Sequence, residues 1–184
     1  MNNTQMLKST RLEKAKAISV LVVVISFAAM LFSSYSERKK QVKTSDYVES
    51  SRFVNSGIGA AEAGDLDAAI ALYGQAIMKY PDNSSGYQFM GYAQYLKFSK
   101  NKTDKAVLNL AEANLKRAVE IDPGNKWAHY NYAIVLWAAG DRNKAVGEIK
   151  SLLLLDPTFK KNIKRDGQFK QFYSLDEFKL LVNN

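Results

Sequence analysis

The sequence of 184 residues contains no cysteine, one histidine and three prolines. Without cysteine the chain has no disulfide, no thiol nucleophile and no thiol-linked lipid anchor, and a single histidine does not supply a typical zinc site. That histidine, His129, falls on the inner face of a helical pattern, where we expect a core or buried polar role. We therefore expect neither an enzyme nor a protein that holds a cofactor or a metal ion.

The sequence also lacks a basic stripe with interleaved aromatic residues, although its formal net charge is +8. The excess is divided equally between residues 1–49 and the rest of the chain, each with a net charge of +4. Dispersed charge of this kind is atypical of a nucleic-acid interface. We expect no nucleic-acid partner and no small-molecule substrate.

The few prolines mark a repeat. Pro123 and Pro157 are 34 residues apart, and Pro81 precedes Pro123 by 42 residues. Proline cannot continue a helix, and a spacing in the thirties is typical of stacked helical hairpins. The eight extra residues of the longer interval predict a lengthened second hairpin.

Small and aromatic residues recur at matching places in three segments. The first segment has Phe53, Gly57, Ala69, Tyr73, Ala76 and Pro81; the second has Tyr87, Gly91, Ala111, Leu115, Ala118 and Pro123; the third has Tyr132, Ala133, Ala145, Ile149 and Pro157. This pattern resembles the tetratricopeptide repeat, from which Ser56, His129 and Leu152 depart. The resemblance implies an all-α solenoid of three repeats, 50–83, 84–125 with an insertion, and 126–159, that binds other proteins.

The turns inside the hairpins can also be predicted from the sequence. Glycine followed by aspartate, as at Gly64 and Gly140, permits a left-handed helix end and then an N-cap. The insertion around residues 97–104 predicts one extra turn on each helix of the second repeat, with Thr103 or Asp104 as the N-cap. Such a basic finger is either a solvated protrusion or a partner contact.

An uncharged apolar run covers residues 17–32, and Ser33, Ser34 and Tyr35 extend it to 35. A helix over 17–35 is about 28 Å long, close to the roughly 30 Å of a bilayer's hydrocarbon core. We predict a transmembrane helix at 17–35, between a basic N-terminal tail at 1–16 and a polar connector at 36–49. The alternative is a cleaved signal peptide, which would leave a secreted soluble protein.

The orientation of this span is less constrained, because four basic residues lie close to each end. They are Lys8, Arg11, Lys14 and Lys16 before it, and Arg38, Lys39, Lys40 and Lys43 after it. A short basic tail usually stays inside the cell. We expect the repeats on the periplasmic rather than the cytoplasmic side.

Residues 160–184 are expected to form a C-terminal helical cap on the last repeat, since an open solenoid needs a terminal element with a polar outer face. Residues 166–169 (Asp-Gly-Gln-Phe) predict a helix start, and 174–177 (Ser-Leu-Asp-Glu) predict a capping box. The apolar positions expected to pack are Phe169, Phe172, Tyr173, Phe178, Leu181 and Val182.

The family resemblance also implies a concave binding groove, lined by fixed positions of the first helix in each repeat. In the first repeat these are Ser51, Val54, Ile58 and Ala61. The predicted groove residues are Gln88, Tyr92, Tyr95, Trp127, Tyr130, Asn131, Ile134 and Trp137. Exposed aromatic residues are enriched at interface hot spots. The alternative is that several of them pack into the adjoining repeat or under the C-terminal cap, and Trp137 fits either position.

Relatives that bind a C-terminal carboxylate use a clamp of basic residues and asparagines. The corresponding positions here are Val54, Ile58, Phe89, Trp127 and Asn131, so that only the asparagine is kept. The groove therefore favours an apolar or aromatic-rich peptide or helix. We predict a membrane-tethered adaptor that assembles a cell-envelope complex. The alternative is a holdase-like receptor for translocating or secreted polypeptides.

Overall fold

The computed structural model describes the backbone of residues 3–183 and the side chains of 25, 26, 29–34, 36, 37, 41 and 43–183. All regular structure in that range is helical. The chain divides into two compact units, Met1–Ser45 and Asp46–Asn184. The predicted all-α fold is confirmed for the described residues.

The first unit consists of the N-terminal part of helix α1, which runs over Asn3–Glu62. Among the residues whose side chains are described, no helix is long and apolar enough to cross a membrane. The predicted span at 17–35 lies largely outside them, because the side chains of 17–24, 27, 28 and 35 are not described.

The second unit contains the repeats as pairs of antiparallel helices. The end of α1 pairs with α2 (Leu66–Lys79), α3 (Ser84–Lys100) with α4 (Lys105–Ile121), and α5 (Lys126–Ala139) with α6 (Arg142–Leu155). Each pair also packs on the next, α2 against α3 and α4 against α5. A hairpin covers its apolar face only by stacking on a neighbour, which is the principle of a solenoid.

The turns within the first and third hairpins follow the glycine–aspartate pattern. Gly64 and Gly140 have φ of +86° and +94°, a left-handed conformation that glycine adopts without steric cost. Asp65 and Asp141 then cap α2 and α6, and the Asp65 carboxylate accepts the backbone N–H of Ala68 at 2.9 Å. The two short turns thus hold their helices in tight antiparallel pairs.

In the second repeat, both helices are longer. α3 and α4 have 17 residues each, whereas α5 and α6 have 14. Asp104 caps α4, and its carboxylate accepts the backbone N–H of Val107 at 3.2 Å. On the side of the finger, Lys97 forms an ion pair with Asp67 of α2. The insertion is therefore accommodated by lengthening the hairpin, as the sequence indicates.

A pair of polar residues closes each of the first two repeats, and we call this contact the serine–asparagine clasp. The hydroxyl of Ser50 donates to the carbonyl of Ala76 at 2.7 Å and accepts from the side-chain amide of Asn83 at 2.8 Å. Ser84 and Asn125 repeat the same bonds, with the Ala118 carbonyl at 3.0 Å. Each asparagine also caps the helix that begins the next repeat, and the clasp thereby joins neighbouring repeats.

The C-terminal segment differs in detail from the prediction. It comprises a 3₁₀ turn (Pro157–Phe159), α7 (Lys160–Arg165), a 3₁₀ helix (Gly167–Ser174) and α8 (Asp176–Asn183). The start predicted at Asp166 is correct in position but opens a 3₁₀ helix rather than an α-helix. Side chains three residues apart eclipse in a 3₁₀ helix, so Phe169 and Phe172 share one face and both are fully buried.

The predicted capping box at 174–177 is not formed. The hydroxyl of Ser174 donates to the carbonyl of Gln171 at 2.9 Å, so it closes the preceding 3₁₀ helix and does not cap α8. Phe178 and Val182 of α8 are nevertheless buried in the core that α5 and α6 share with the C-terminal segment. The segment thus packs on the third repeat as expected, through a different local structure.

Candidate peptide-binding groove

A concave cavity of about 440 Å³ lies between α3 and α5, and we call it the central pocket. Its lining residues are Gln88, Phe89 and Tyr92 of α3, Trp127, Tyr130 and Asn131 of α5, and Asp166. Because small and aromatic residues recur at the same positions of each repeat, the first helices of the hairpins lie along the side of the solenoid that contains this pocket. The pocket therefore brings together five of the eight residues predicted for the groove.

A second cavity of about 220 Å³ adjoins the first toward the N-terminal repeat, and we call it the N-terminal pocket. Phe89 and Tyr92 line both cavities. The opposite side of the N-terminal pocket is formed by Ile58, Ala61 and Glu62 at the end of α1. The two cavities together form an elongated concave surface.

The remaining three predicted groove residues lie elsewhere. Ile134 and Trp137 are 2% and 7% exposed and belong to the core, because the C-terminal segment covers this part of α5. The ring of Phe172 stacks on Trp137 with a centroid distance of 3.9 Å. For these two residues the groove position expected from the sequence is wrong, and the alternative of packing under the cap is correct for Trp137.

Tyr95 is a partly buried neighbour of the groove. Its ring stacks on that of Tyr92, with centroids 6.3 Å apart, and packs against the larger core. Burial raises the pKa of the Tyr95 hydroxyl, with smaller contributions from Tyr92 and the carboxylate of Asp166. The ring of Tyr95 therefore packs against Tyr92 and lines neither pocket.

The aromatic wall of the central pocket is rigidly supported. Trp127 is 50% exposed, and its indole meets the rings of Tyr130 and Phe159 edge to face, at centroid distances of 5.4 and 5.1 Å. Such pairs add about 0.5–1.5 kcal/mol beyond the burial of area. The exposed face of the Trp127 indole is thus open to a ligand, while the rings of Tyr130 and Phe159 hold the indole in place.

The polar part of the pocket depends on Asp166, which sequence reasoning treated only as a helix start. Its carboxylate accepts the hydroxyl of Tyr130 at 2.6 Å and the backbone N–H of Gln168 at 2.8 Å. Burial, followed by this hydrogen bond, raises the pKa of the Tyr130 hydroxyl, which therefore remains a donor at neutral pH. Asp166 lies in the groove because α7 ends beside α5. No local sequence motif predicts that position.

Two buried amides complete the site. Gln88 and Asn131 are each 5% exposed, and neither side chain has a hydrogen-bond partner among the described residues. Among the described residues, every fully buried side-chain polar atom has a hydrogen-bond partner. The unpartnered amide groups of Gln88 and Asn131 are therefore the accessible parts of these residues, and they lie at the pocket. Each amide offers a donor and an acceptor to a ligand.

Fold and site define a helical-repeat protein with a concave groove of peptide size. Residues 108–164 match the family model of the tetratricopeptide repeat. A similar solved structure is the second TPR domain of Spaghetti (RPAP3) bound to the HSP90 peptide SRMEEVD, at 23% identity and a TM-score of 0.57, over 66% of this chain and 99% of that one.

Two further structures are similar. The Arabidopsis OM64 TPR domain is 18% identical with a TM-score of 0.55, over 74% of this chain and 96% of that one. MamA is 19% identical with a TM-score of 0.58, over 78% of this chain and 80% of that one. No curated protein matches the sequence significantly. These similarities support the tetratricopeptide-repeat fold.

Proposed function

We propose that the protein is an adaptor whose concave groove binds a peptide or helix of a partner protein. The observation that carries the proposal is the aromatic pocket in which the amides of Gln88 and Asn131 are accessible and form no hydrogen bond with the described residues. Each amide has a donor and an acceptor free to pair with a ligand's backbone amides, and a hydrogen bond of this kind contributes about 0.5–1.5 kcal/mol. Trp127 and Tyr92 supply the apolar contact surface beside them.

The solved structure of a similar fold in complex with an acidic HSP90 peptide supports peptide binding as the use of such a groove. The present groove differs in its chemistry, because only one asparagine of the clamp's basic residues and asparagines is kept, and the other positions hold Val54, Ile58, Phe89 and Trp127. A partner with an apolar or aromatic-rich segment fits this lining better than an acidic C-terminus.

We also propose that residues 17–35 tether the adaptor to a membrane, with the repeats on the periplasmic side, in the assembly of a cell-envelope complex. The uncharged run between basic clusters supports this part of the proposal. In the first unit, the described side chains of Ile25, Met30, Leu31 and Phe32 are exposed, as lipid contact would require. Alkaline extraction of native membranes tests the tether: a spanning chain stays with the lipid, and release into the supernatant contradicts it.

The groove is tested by crosslinked affinity capture from native membranes. The wild type is compared with a Tyr92→Ala/Trp127→Ala double variant, which keeps both partners of the part-buried Tyr130–Asp166 hydrogen bond. A Met78→Ala/Leu154→Ala variant is the control, since it removes two exposed apolar side chains outside the central pocket.

We expect the groove variant to lose one or two stoichiometric partners that the control retains, with unchanged helicity and melting temperature in both. Loss of a long list of weakly bound chains would favour the holdase alternative. Identical capture by both variants would contradict a role for the groove.

A further inference from the structure

We propose that the central pocket recognises a cationic side chain, that of lysine or arginine, within the bound peptide. This inference rests on the proposed peptide binding and specifies the chemistry of its anchor residue. It follows from three features of the pocket: an open aromatic wall, a carboxylate without a cation, and a lining that contains no basic residue.

The aromatic wall suits a cation. Tyr92 of α3 and Trp127 of α5 line the pocket from its two helices, and Tyr130 also lines it and meets the Trp127 indole edge to face. The negative face of an aromatic ring attracts an ammonium or guanidinium group within about 6 Å of its centroid, most strongly for tryptophan. Among the described residues, no cation lies over the ring of Trp127, and the neighbouring Lys126 lies instead over the ring of Phe159 and pairs with Asp156.

The carboxylate of Asp166 is placed to complete such a site. Its two oxygens are oriented by the Tyr130 hydroxyl and the Gln168 backbone N–H, one bond to each oxygen. A carboxylate can accept about four hydrogen bonds. Two acceptor positions therefore remain, and Asp166 has no ion pair within 4 Å among the described residues.

The charge of the groove is opposite to that of the chain. The formal net charge is +8, yet Asp166 is the charged residue of the central pocket and Glu62 that of the N-terminal pocket. Neither lining includes lysine or arginine. An acidic peptide would meet repulsion at both ends of this surface, whereas a basic residue flanked by apolar ones would meet a carboxylate, aromatic faces and the carbonyls of Gln88 and Asn131.

The test uses the full chain in detergent, labelled with 5-fluorotryptophan. Trp127 reports on the pocket, and the buried Trp137 is an internal reference. The probes are blocked pentapeptides, acetyl-Ala-Ala-Xaa-Ala-Ala-amide, with arginine, lysine, methionine or glutamate at the centre. Blocking the termini ensures that the cation comes from a side chain and not from an N-terminal amine.

We expect the arginine and lysine peptides to shift the Trp127 resonance with an affinity about tenfold higher than that of the methionine peptide. The glutamate peptide should bind most weakly, and Trp137 should not move. The preference of the wild type for lysine over methionine should fall as sodium chloride is raised, because the added attraction is partly Coulombic.

Asp166→Asn removes the charge while keeping a hydrogen-bonding side chain, and it should lower the preference to the part that the aromatic wall supplies, about two- to fivefold. Glu120→Gln, which removes an exposed charge on α4, is the matched control and should leave the preference unchanged. Equal affinity of the wild type for the basic, neutral and acidic peptides overturns the inference and leaves the peptide-binding function standing. A Trp127 resonance that no peptide moves overturns both.

Discussion

At the scale of single residues, close packing between helices depends on positions without a side chain. Gly91 faces α4, and a Cβ atom there would lie 2.7 Å from Leu115 Cγ and 2.9 Å from the carbonyl oxygen of Ala111. The second contact is to backbone and cannot be relieved by a rotamer change. The glycine of the repeat pattern is therefore required by the approach of α3 to α4.

Gly91→Ala is expected to lower the free energy of unfolding by about 1–3 kcal/mol, as overpacking does in other cores. The control is Gly147→Ala in α6, where a Cβ atom meets nothing within 4 Å. That change should be neutral or stabilise by roughly 0.5–1 kcal/mol, because alanine is the better helix former. Urea unfolding of both variants measures the difference, and equal stabilities would show that the helices can separate without cost.

His129 is a second residue whose surroundings decide its role. Its Nδ1 lies 2.6 Å from the Glu148 carboxylate and its Nε2 lies 3.0 Å from the Pro123 carbonyl oxygen. The hydrogen bond with Glu148 is the largest of the effects that raise the pKa of His129 above its usual 6.5. The core or buried polar role expected from the sequence is thus filled by a polar bridge between α5, α6 and the turn before α5.

The pH dependence of stability follows from this shift. A raised pKa in the folded state means that the charged imidazole stabilises the protein fully below about pH 6.5, and that this contribution is lost as the pH rises through the raised value. We expect the free energy of unfolding of the wild type to fall as the pH rises from about 6.5 through the raised pKa of His129, and to change less in Glu148→Gln. Parallel curves for the two proteins would contradict the assignment.

At the scale of helices, the C-terminal segment shows where sequence reasoning succeeds and where it ends. The apolar residues that pack on the third repeat were predictable from their spacing, because any helix must bury such a stripe. Two features had no local signal: the 3₁₀ conformation of Gly167–Ser174 and the presence of Asp166 in the groove. The position of Asp166 depends on a tertiary contact, the hydrogen bond between its carboxylate at the end of α7 and the hydroxyl of Tyr130 in α5.

The same reasoning explains the partial success for the groove. Repeat position identified Gln88, Tyr92, Trp127, Tyr130 and Asn131, since equivalent residues of a solenoid share one face. It misplaced Ile134 and Trp137, because a cap that follows the last repeat covers the face that another repeat would leave open. The repeat pattern thus defines the groove's direction, and the cap defines its end.

Phe172→Ala tests the contribution of the cap. Phe172 is fully buried and stacks on Trp137, so its removal should lower the free energy of unfolding by about 3–5 kcal/mol. The emission of Trp137 should shift to longer wavelength as water reaches the indole. The adjacent exposed Gln171→Ala is the control and should remain within about 0.5 kcal/mol of the wild type. Wild-type stability in Phe172→Ala would show that the cap is dispensable.

At the scale of the repeat unit, the hydrophobic core is unevenly distributed. A smaller cluster around Tyr73 and Val54 holds the first repeat against α3. A larger cluster joins the second and third repeats to the C-terminal segment and contains most of the buried large side chains, including Leu115, Ile149 and Phe169. In a solenoid, stability is approximately a sum over repeats and their interfaces.

This distribution predicts that the first repeat opens at a lower free energy than the rest. Backbone amides of α2 should exchange with solvent at least roughly tenfold faster than those in the centre of α5 under native conditions. Hydrogen exchange followed by mass spectrometry or NMR measures both helices in one experiment. Equal protection of the two helices would indicate that the three repeats unfold as one cooperative unit.

The serine–asparagine clasp has a consequence for how the hairpins can vary. In the first two repeats it joins the residue that opens the repeat to the residue that closes it, and the eight additional residues of the second repeat lie between those ends. The distance by which successive repeats are offset is thus set at the base of each hairpin and is independent of the hairpin's length. The tip at 101–104 is consequently a permissive insertion point, where foreign loops or small domains can be grafted while the geometry of the solenoid is preserved.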